Sequence, residues 1–61
     1  MNWDKRYISI GNYCLESGDF KVHRKPGNDL YDVYMKGDHI GYSKDEIGAM
    51  KIAESKFYKT L

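Results

Sequence analysis

The sequence has one cysteine, one proline and almost no net charge. Because Cys14 has no second cysteine to pair with, the fold must be held together by packing, and we expect the reducing cytoplasm as its compartment. A formal charge of +1 over 61 residues disfavours a protein that binds nucleic acid through bulk positive charge. No apolar run approaches the length of a signal-peptide core or a membrane span, so we expect no membrane partner.

The sequence also lacks the common motifs of catalysis and ligand binding. Neither glycine-rich pattern of a phosphate-binding loop occurs. The potential metal ligands Cys14, His23 and His39 do not have the short spacing of a zinc site. No sequence feature places a base beside Cys14, and so short a chain has little room for a deep pocket. We therefore predict no cofactor, no metal and no enzymatic activity.

Aromatic residues, in contrast, are abundant. They make up 15% of the chain and include six tyrosines. Large rings supply buried area to a small core, but tyrosine is also enriched at protein interfaces. Both roles stay open for each tyrosine at this stage. The sequence begins with Met and no targeting segment follows it, which is typical of a complete small reading frame.

Residues 13–42 predict antiparallel strands joined by tight turns. Apolar and polar side chains alternate in FKVH and again in YDVYM, with the period of a half-buried strand. Turns are predicted at ESGD and KGD and a loop at KPGND, residues 25–29, where glycine and proline interrupt the alternation. Residues 1–12 are predicted to form an N-terminal arm or a short strand.

Residues 43–60 predict a helix. Ser43 and Glu46 have the spacing of a capping box, so we expect the helix to run from about Lys44 to Lys59. Its apolar side is predicted to comprise Ala49, Met50, Ala53, Phe57 and Leu61. The fold class is therefore α+β, a single domain over residues 1–61 with a three- to four-stranded antiparallel sheet packed on one C-terminal helix (β-β-β-α).

Two helical positions do not fit the apolar side. Gly48 and Ile52 fall together on the opposite, outer side, although glycine in a helix costs about 1 kcal/mol relative to alanine. A lone exposed isoleucine is common, but the two together could form a flat contact patch. We therefore predict partner binding at Gly48 and Ile52, or at the open sheet face through Tyr31 or Tyr34, depending on the strand register.

FKVHRKPG is the basic stretch of the chain. One interpretation is a solvated strand face. The alternative is a nucleic-acid contact that positions a phosphate backbone without reading sequence, formed by Lys21, His23, Arg24, Lys25 and Tyr34.

The segment YDVYMKGDHIGYSKDEIGAMKIAE resembles the strand, turn, strand and helix of two families of DNA-binding domains. These are the arm-binding domains of tyrosine integrases and the plant ethylene-response domains. The resemblance covers residues 19–58 and rests on Tyr31, Val33, Gly37, Ile40, Gly41, Tyr42, Glu46, Ala49 and Ala53. In those families the sheet face opposite the helix enters the DNA major groove. The resemblance implies that Lys21, His23, Asp32 and Tyr34 lie on the corresponding face here.

The spacing Y-x-V-x-x-x-G-x-x-I-G, followed by an alanine-containing helix, also resembles short accessory proteins of phages and mobile elements. That resemblance implies interference with a host protein or its recruitment. Our leading hypothesis is a non-enzymatic binding protein of phage or mobile-element origin that modulates or inhibits a host protein. The alternatives are duplex DNA binding through the open sheet face and self-association as a homodimer through an exposed strand edge.

Overall fold

Five antiparallel strands precede one helix in the computed structural model, which describes residues 1–27 and 29–59. The strands are β1 (Asp4–Ser9), β2 (Asn12–Ser17), β3 (Phe20–Arg24), β4 (Tyr31–Met35) and β5 (Asp38–Ser43), and the helix α1 spans Glu46–Lys59. Their order across the sheet is their order along the chain. The α+β class is confirmed. The predicted three to four strands become five, because the N-terminal segment forms a complete edge strand.

The predicted hairpins are confirmed by the turns that close them. Gly18 and Gly37 have φ angles of 57° and 86°, in the region that glycine adopts without a steric cost. The backbone N–H of Lys36 donates to the carbonyl of Asp19 at 2.8 Å. This bond ties the β2–β3 turn to the β4–β5 turn at the same end of the sheet.

The strand register separates the two faces of the sheet. Leu15, Val22 and Val33 lie directly opposite one another on β2, β3 and β4 and are buried on the helix side of the sheet. On the other face, which we call the open face, Lys21 pairs with Tyr34 and His23 pairs with Asp32. The expected common face of these four residues is thus confirmed. Tyr31, two residues before Val33, lies on the helix side, so Tyr34 is the candidate tyrosine on the open face.

The helix packs on β3, β4 and β5. Ala49 and Ala53 are fully buried, and their small side chains let the helix lie close to the sheet. Met50 and Phe57 pack against the same core, as predicted for the apolar side, whereas Leu61 lies outside the described residues. The buried core consists of Leu15, Phe20, Val22, Val33, Ala49 and Ala53.

The helix begins at Glu46, two residues later than predicted, because Asp45 caps it. The Asp45 carboxylate accepts the backbone N–H of Gly48, and the Asp45 carbonyl accepts the N–H of Ala49 at 3.2 Å. Ser43 Oγ accepts the N–H of Asp45 at 3.4 Å, so this bond is to the cap residue and not to the helix. The predicted capping box of Ser43 and Glu46 is therefore wrong, and the Glu46 carboxylate is directed to the sheet instead.

The expectation that Gly48 and Ile52 face outward is also wrong. Ile52 packs against the core, and a Cβ added at Gly41 on β5 would lie 3.3 Å from Ile52 Cγ2. A Cβ at Gly48 would collide with Ser43 Oγ and lie 2.8 Å from Asp45 Oδ1. Gly48 thus allows the start of the helix to lie close to its cap residues, and Gly41 allows β5 to lie close to Ile52. A role of Gly48 and Ile52 in partner binding stays a prediction.

The N-terminal residues close one side of the core. Met1 and Trp3 pack against the buried cluster. Trp3 Nε1 is buried and has no hydrogen-bond partner in the part of the chain that the structure describes. No helix formed by residues 1–27 and 29–59 is long and apolar enough to cross a membrane.

Candidate partner-binding surface

A row of tyrosines crosses the sheet next to the start of the helix. Tyr7 on β1 lies opposite Tyr13 on β2, Tyr13 lies opposite Arg24 on β3, and Arg24 lies opposite Tyr31 on β4. We call these four residues the tyrosine row. It is on the same side of the sheet as the helix. Because the helix packs on β3–β5, the β1 end of the row is left uncovered.

Contacts within the tyrosine row hold its rings in fixed orientations. The ring centroids of Tyr7 and Tyr13 are 5.6 Å apart, and those of Tyr13 and Tyr31 are 6.3 Å apart in an edge-on arrangement. Arg24 Nη1 donates to the carbonyl of Gly11 at 2.8 Å, and the Arg24 guanidinium carbon is 5.9 Å from the Tyr31 centroid. The outermost ring, that of Tyr7, is 72% exposed. The row therefore presents an exposed ring on an ordered base.

The first residue of the helix anchors this surface. Glu46 Oε1 accepts a hydrogen bond from the Tyr13 hydroxyl at 3.1 Å and lies 3.3 Å from Lys5 Nζ. Lys5 Nζ is also 4.9 Å from the Tyr13 centroid, within the range of a cation–π contact. One carboxylate thereby joins β1, β2 and α1.

Burial raises the pKa of the Tyr13 phenol, and its hydrogen bonds to Tyr31 and Glu46 and the negative charge of Glu46 raise it further. The phenol therefore keeps its proton at neutral pH. Tyr13 acts as a donor that orders the row, not as a base.

Exposed apolar side chains continue from the tyrosine row toward the β1–β2 turn. Of the six large hydrophobic side chains that are exposed within the described residues, Tyr7, Ile8 and Ile10 fall in one short segment. Ile10 is 97% exposed, so it adds nothing to the core. Exposed apolar surface marks an interaction site when it is contiguous, and of these three residues Tyr7 is the one whose strand partner, Tyr13, belongs to the tyrosine row.

The open face has a different character, because its polar groups pair with one another. The contacts are His23 Nε2 with Asn12 Oδ1 at 2.8 Å, His39 Nε2 with Asp32 Oδ1 at 3.0 Å, and Lys21 Nζ with Glu16 Oε1 at 3.9 Å. The Tyr34 ring is edge-on to the His39 ring, with centroids 5.3 Å apart. Such internal pairing is typical of a solvated sheet face.

The structure separates the predicted nucleic-acid contacts. Lys21, His23 and Tyr34 line a shallow depression on the open face, but Glu16 and Asp19 also line it and would oppose a phosphate. Arg24 belongs to the tyrosine row on the opposite face. Lys25 is exposed in the loop after β3. The five residues thus do not form one patch, and DNA binding stays a prediction.

The predicted partner-binding residues are distributed over three places. Tyr31 lies in the tyrosine row, Tyr34 on the open face, and Gly48 and Ile52 between helix and sheet. Sequence reasoning missed Tyr7 and Tyr13. A signal for Tyr13 was available, because extending the register of the ESGD hairpin places Tyr13 opposite Arg24.

Within the described residues, no group of three or more His, Cys, Asp or Glu side chains is arranged to hold a metal ion. Comparisons with protein-family models, with curated proteins and with solved structures found no match. We therefore infer function from the geometry of the chain itself.

Proposed function

We propose that this protein is a non-enzymatic binding protein that recognises another protein through the tyrosine row. We further propose that it is an accessory protein of a phage or mobile element, that its partner is a host protein, and that binding in the cytoplasm modulates or inhibits this partner. The single observation that carries the proposal is the Tyr7 ring, which is 72% exposed yet held against Tyr13 by a ring contact.

The composition of the tyrosine row supports a protein as the partner. Tyrosine and arginine are, with tryptophan, the residues enriched among those that dominate binding energy at protein interfaces. Rings already fixed in the free protein lose little conformational entropy on binding. Ile8 and Ile10 follow Tyr7 closely in the chain and are also exposed.

The charges around the row favour a protein over a nucleic acid. Lys5 and Arg24, which lie on the same side of the sheet as the rings, already have partners: Lys5 is paired with Glu46 at 3.3 Å, and Arg24 is bound to the Gly11 carbonyl. The Glu46 carboxylate would also repel a phosphate group. A strand of nucleic acid stacking on the rings would therefore gain little from the charges beside them.

Site-specific photo-crosslinking tests the proposal. A photoreactive phenylalanine analogue replaces Tyr7 in one variant. In two matched controls it replaces Tyr42, which is 62% exposed on β5, or Tyr58, which is 59% exposed on the helix. We expect one host protein to be crosslinked from position 7, to be absent from the controls, and to be lost when excess unmodified protein competes. Equal crosslinking at all three positions, or crosslinking at position 42 alone, would contradict a contact through the tyrosine row.

Duplex DNA binding through the open face is the second candidate, and the shared face of Lys21, His23 and Tyr34 favours it. It predicts chemical-shift changes at these residues on addition of duplex DNA, which weaken steeply as salt is raised. Lys21→Glu would remove them. Unchanged amide signals at low salt would exclude this function.

A further inference from the structure

The outer edge of β1 is open to a further strand. β1 pairs with β2 on one side, and all six of its residues are exposed. An edge strand has backbone N–H and C=O groups directed away from its neighbour, and an extended peptide can pair with them. The other edge strand, β5, is half-buried at three of its six residues and has the helix packed against it, whereas every residue of β1 is exposed.

We propose that β1 accepts an extended segment of the partner protein as a sixth strand, with a carboxylate facing Arg6 and a large apolar side chain facing Tyr7. This inference rests on the proposed function, because it requires a protein partner. It adds the mode of recognition and the chemistry of the recognised segment.

The charge on β1 indicates the carboxylate. Lys5 is neutralised by Glu46, whereas Arg6 is exposed and forms no ion pair with any residue in the described ranges. Residues directly opposite each other on neighbouring strands interact, and opposite charges in such pairs are favourable. An acidic side chain on the added strand would supply Arg6 with its missing partner.

A second copy of this chain is a poorer occupant of the edge. In a two-fold antiparallel pairing of β1 with itself, the residue at the centre lies opposite its own copy. Centring at Lys5 pairs Asp4 with Arg6 of the other copy but limits the ladder to residues 4–6, because β1 begins at Asp4 and Met1 and Trp3 pack on the core. Centring at Arg6 opposes two arginines, which is destabilising. Centring at Tyr7 extends the ladder into the register shift between Tyr7 and Ser9. An acidic segment of a different protein meets none of these obstacles.

Strand addition and docking on one face differ in which β1 side chains the partner contacts. Arg6 pairs with Cys14 and faces the open side, whereas Tyr7 pairs with Tyr13 and faces the helix side. A partner that lies on one face can contact only one of the two side chains. A strand added at the edge contacts both, because its own side chains alternate between the faces.

The test uses a short peptide of alternating Val and Thr, with Glu placed to face Arg6 and Tyr placed to face Tyr7, and measures its affinity by NMR titration. We expect Arg6→Glu and Tyr7→Ser each to weaken binding about tenfold. A peptide with Lys in place of Glu should restore binding to Arg6→Glu. The matched control is Lys51→Glu, the same charge change at an exposed helix position, and it should leave the affinity unchanged. Amide hydrogen exchange should slow in β1 but not in β5 when the peptide binds.

The possible results separate this inference from the proposed function. If Tyr7→Ser weakens binding and Arg6→Glu does not, the partner docks on one face and strand addition is wrong, while the proposed function stands. Absence of peptide binding also overturns strand addition, but it leaves crosslinking at position 7 as an independent test of the function. The mass in solution tests for a second copy at this edge. If the mass doubles as the concentration rises, and Arg6→Glu prevents this doubling, a second copy is the occupant and the proposal is overturned.

Discussion

Gly48→Ala tests the account of the helix start, because an isolated helix and this structure predict opposite signs for it. In an exposed helix interior the change stabilises by about 1 kcal/mol. Here the added methyl group would collide with Ser43 Oγ and approach Asp45 Oδ1 to 2.8 Å. Both side chains must turn away, and Asp45 then no longer caps the helix.

The losses exceed the gain. Loss of an N-cap costs about 1 kcal/mol, and loss of the hydrogen bond to Ser43 Oγ costs about another 1 kcal/mol. Subtracting the helix-propensity gain leaves Gly48→Ala less stable by about 1 kcal/mol. For a domain of this size, that difference lowers the melting temperature by about 4–8 °C.

Urea unfolding followed by Trp3 fluorescence measures this difference. The control is the same change in a Ser43→Ala/Asp45→Ala background, where no cap remains to be lost and Gly48→Ala should stabilise by up to about 1 kcal/mol. If Gly48→Ala stabilises the otherwise unchanged protein by about 1 kcal/mol, the close approach of Gly48 to its cap is refuted.

Three substitutions and one chemical modification test other parts of the structure. The folded state raises the pKa of Tyr13 above its ordinary value of 10.0. The protonated Tyr13 phenol therefore contributes fully to the free energy of unfolding below about pH 10, and this contribution is lost as the pH rises further. Tyr13→Phe should lessen this alkaline decline in urea unfolding, and an unchanged decline would contradict the half-buried, hydrogen-bonded phenol. Val33→Ala, at a position with no exposure, should cost about 2 kcal/mol. Ile10→Ala, at 97% exposure, should cost almost nothing, and similar melting temperatures for these two variants would refute the assigned burial. Cys14 is buried, so a thiol reagent should modify it only after urea is added, and rapid reaction in the folded protein would contradict its position.

The central hairpins could be predicted from local signals. Phe20 and Val22 alternate with polar residues and bury one face under the helix, and Gly18 and Gly37 take the φ angles that tight turns need. The apolar side of the helix followed from its period, because Ala49 and Ala53 must lie where the backbones come close. Local sequence determines these elements because each satisfies its own hydrogen bonds or buries its own face.

The misassigned elements depend on long-range contacts. β1 has no buried face, so its apolar and polar residues do not alternate in a way that predicts a strand. Its strand conformation depends on pairing with β2. Both Ser43 and Asp45 are good cap residues, and the position of the sheet decides between them. The contact between Tyr13 and Tyr31 spans the intervening β3, which only the strand register reveals.

The consecutive strand order has a consequence for folding kinetics. Each strand pairs with the next strand along the chain, so every ladder closes a short loop at a small entropic cost. A topology with such local pairing predicts fast folding for a sheet protein. β1 lies at the end of the series and pairs with β2 alone, so it can separate while the ladders of β2 to β5 stay intact. We therefore expect β1 to join last during folding and to open first in the native state.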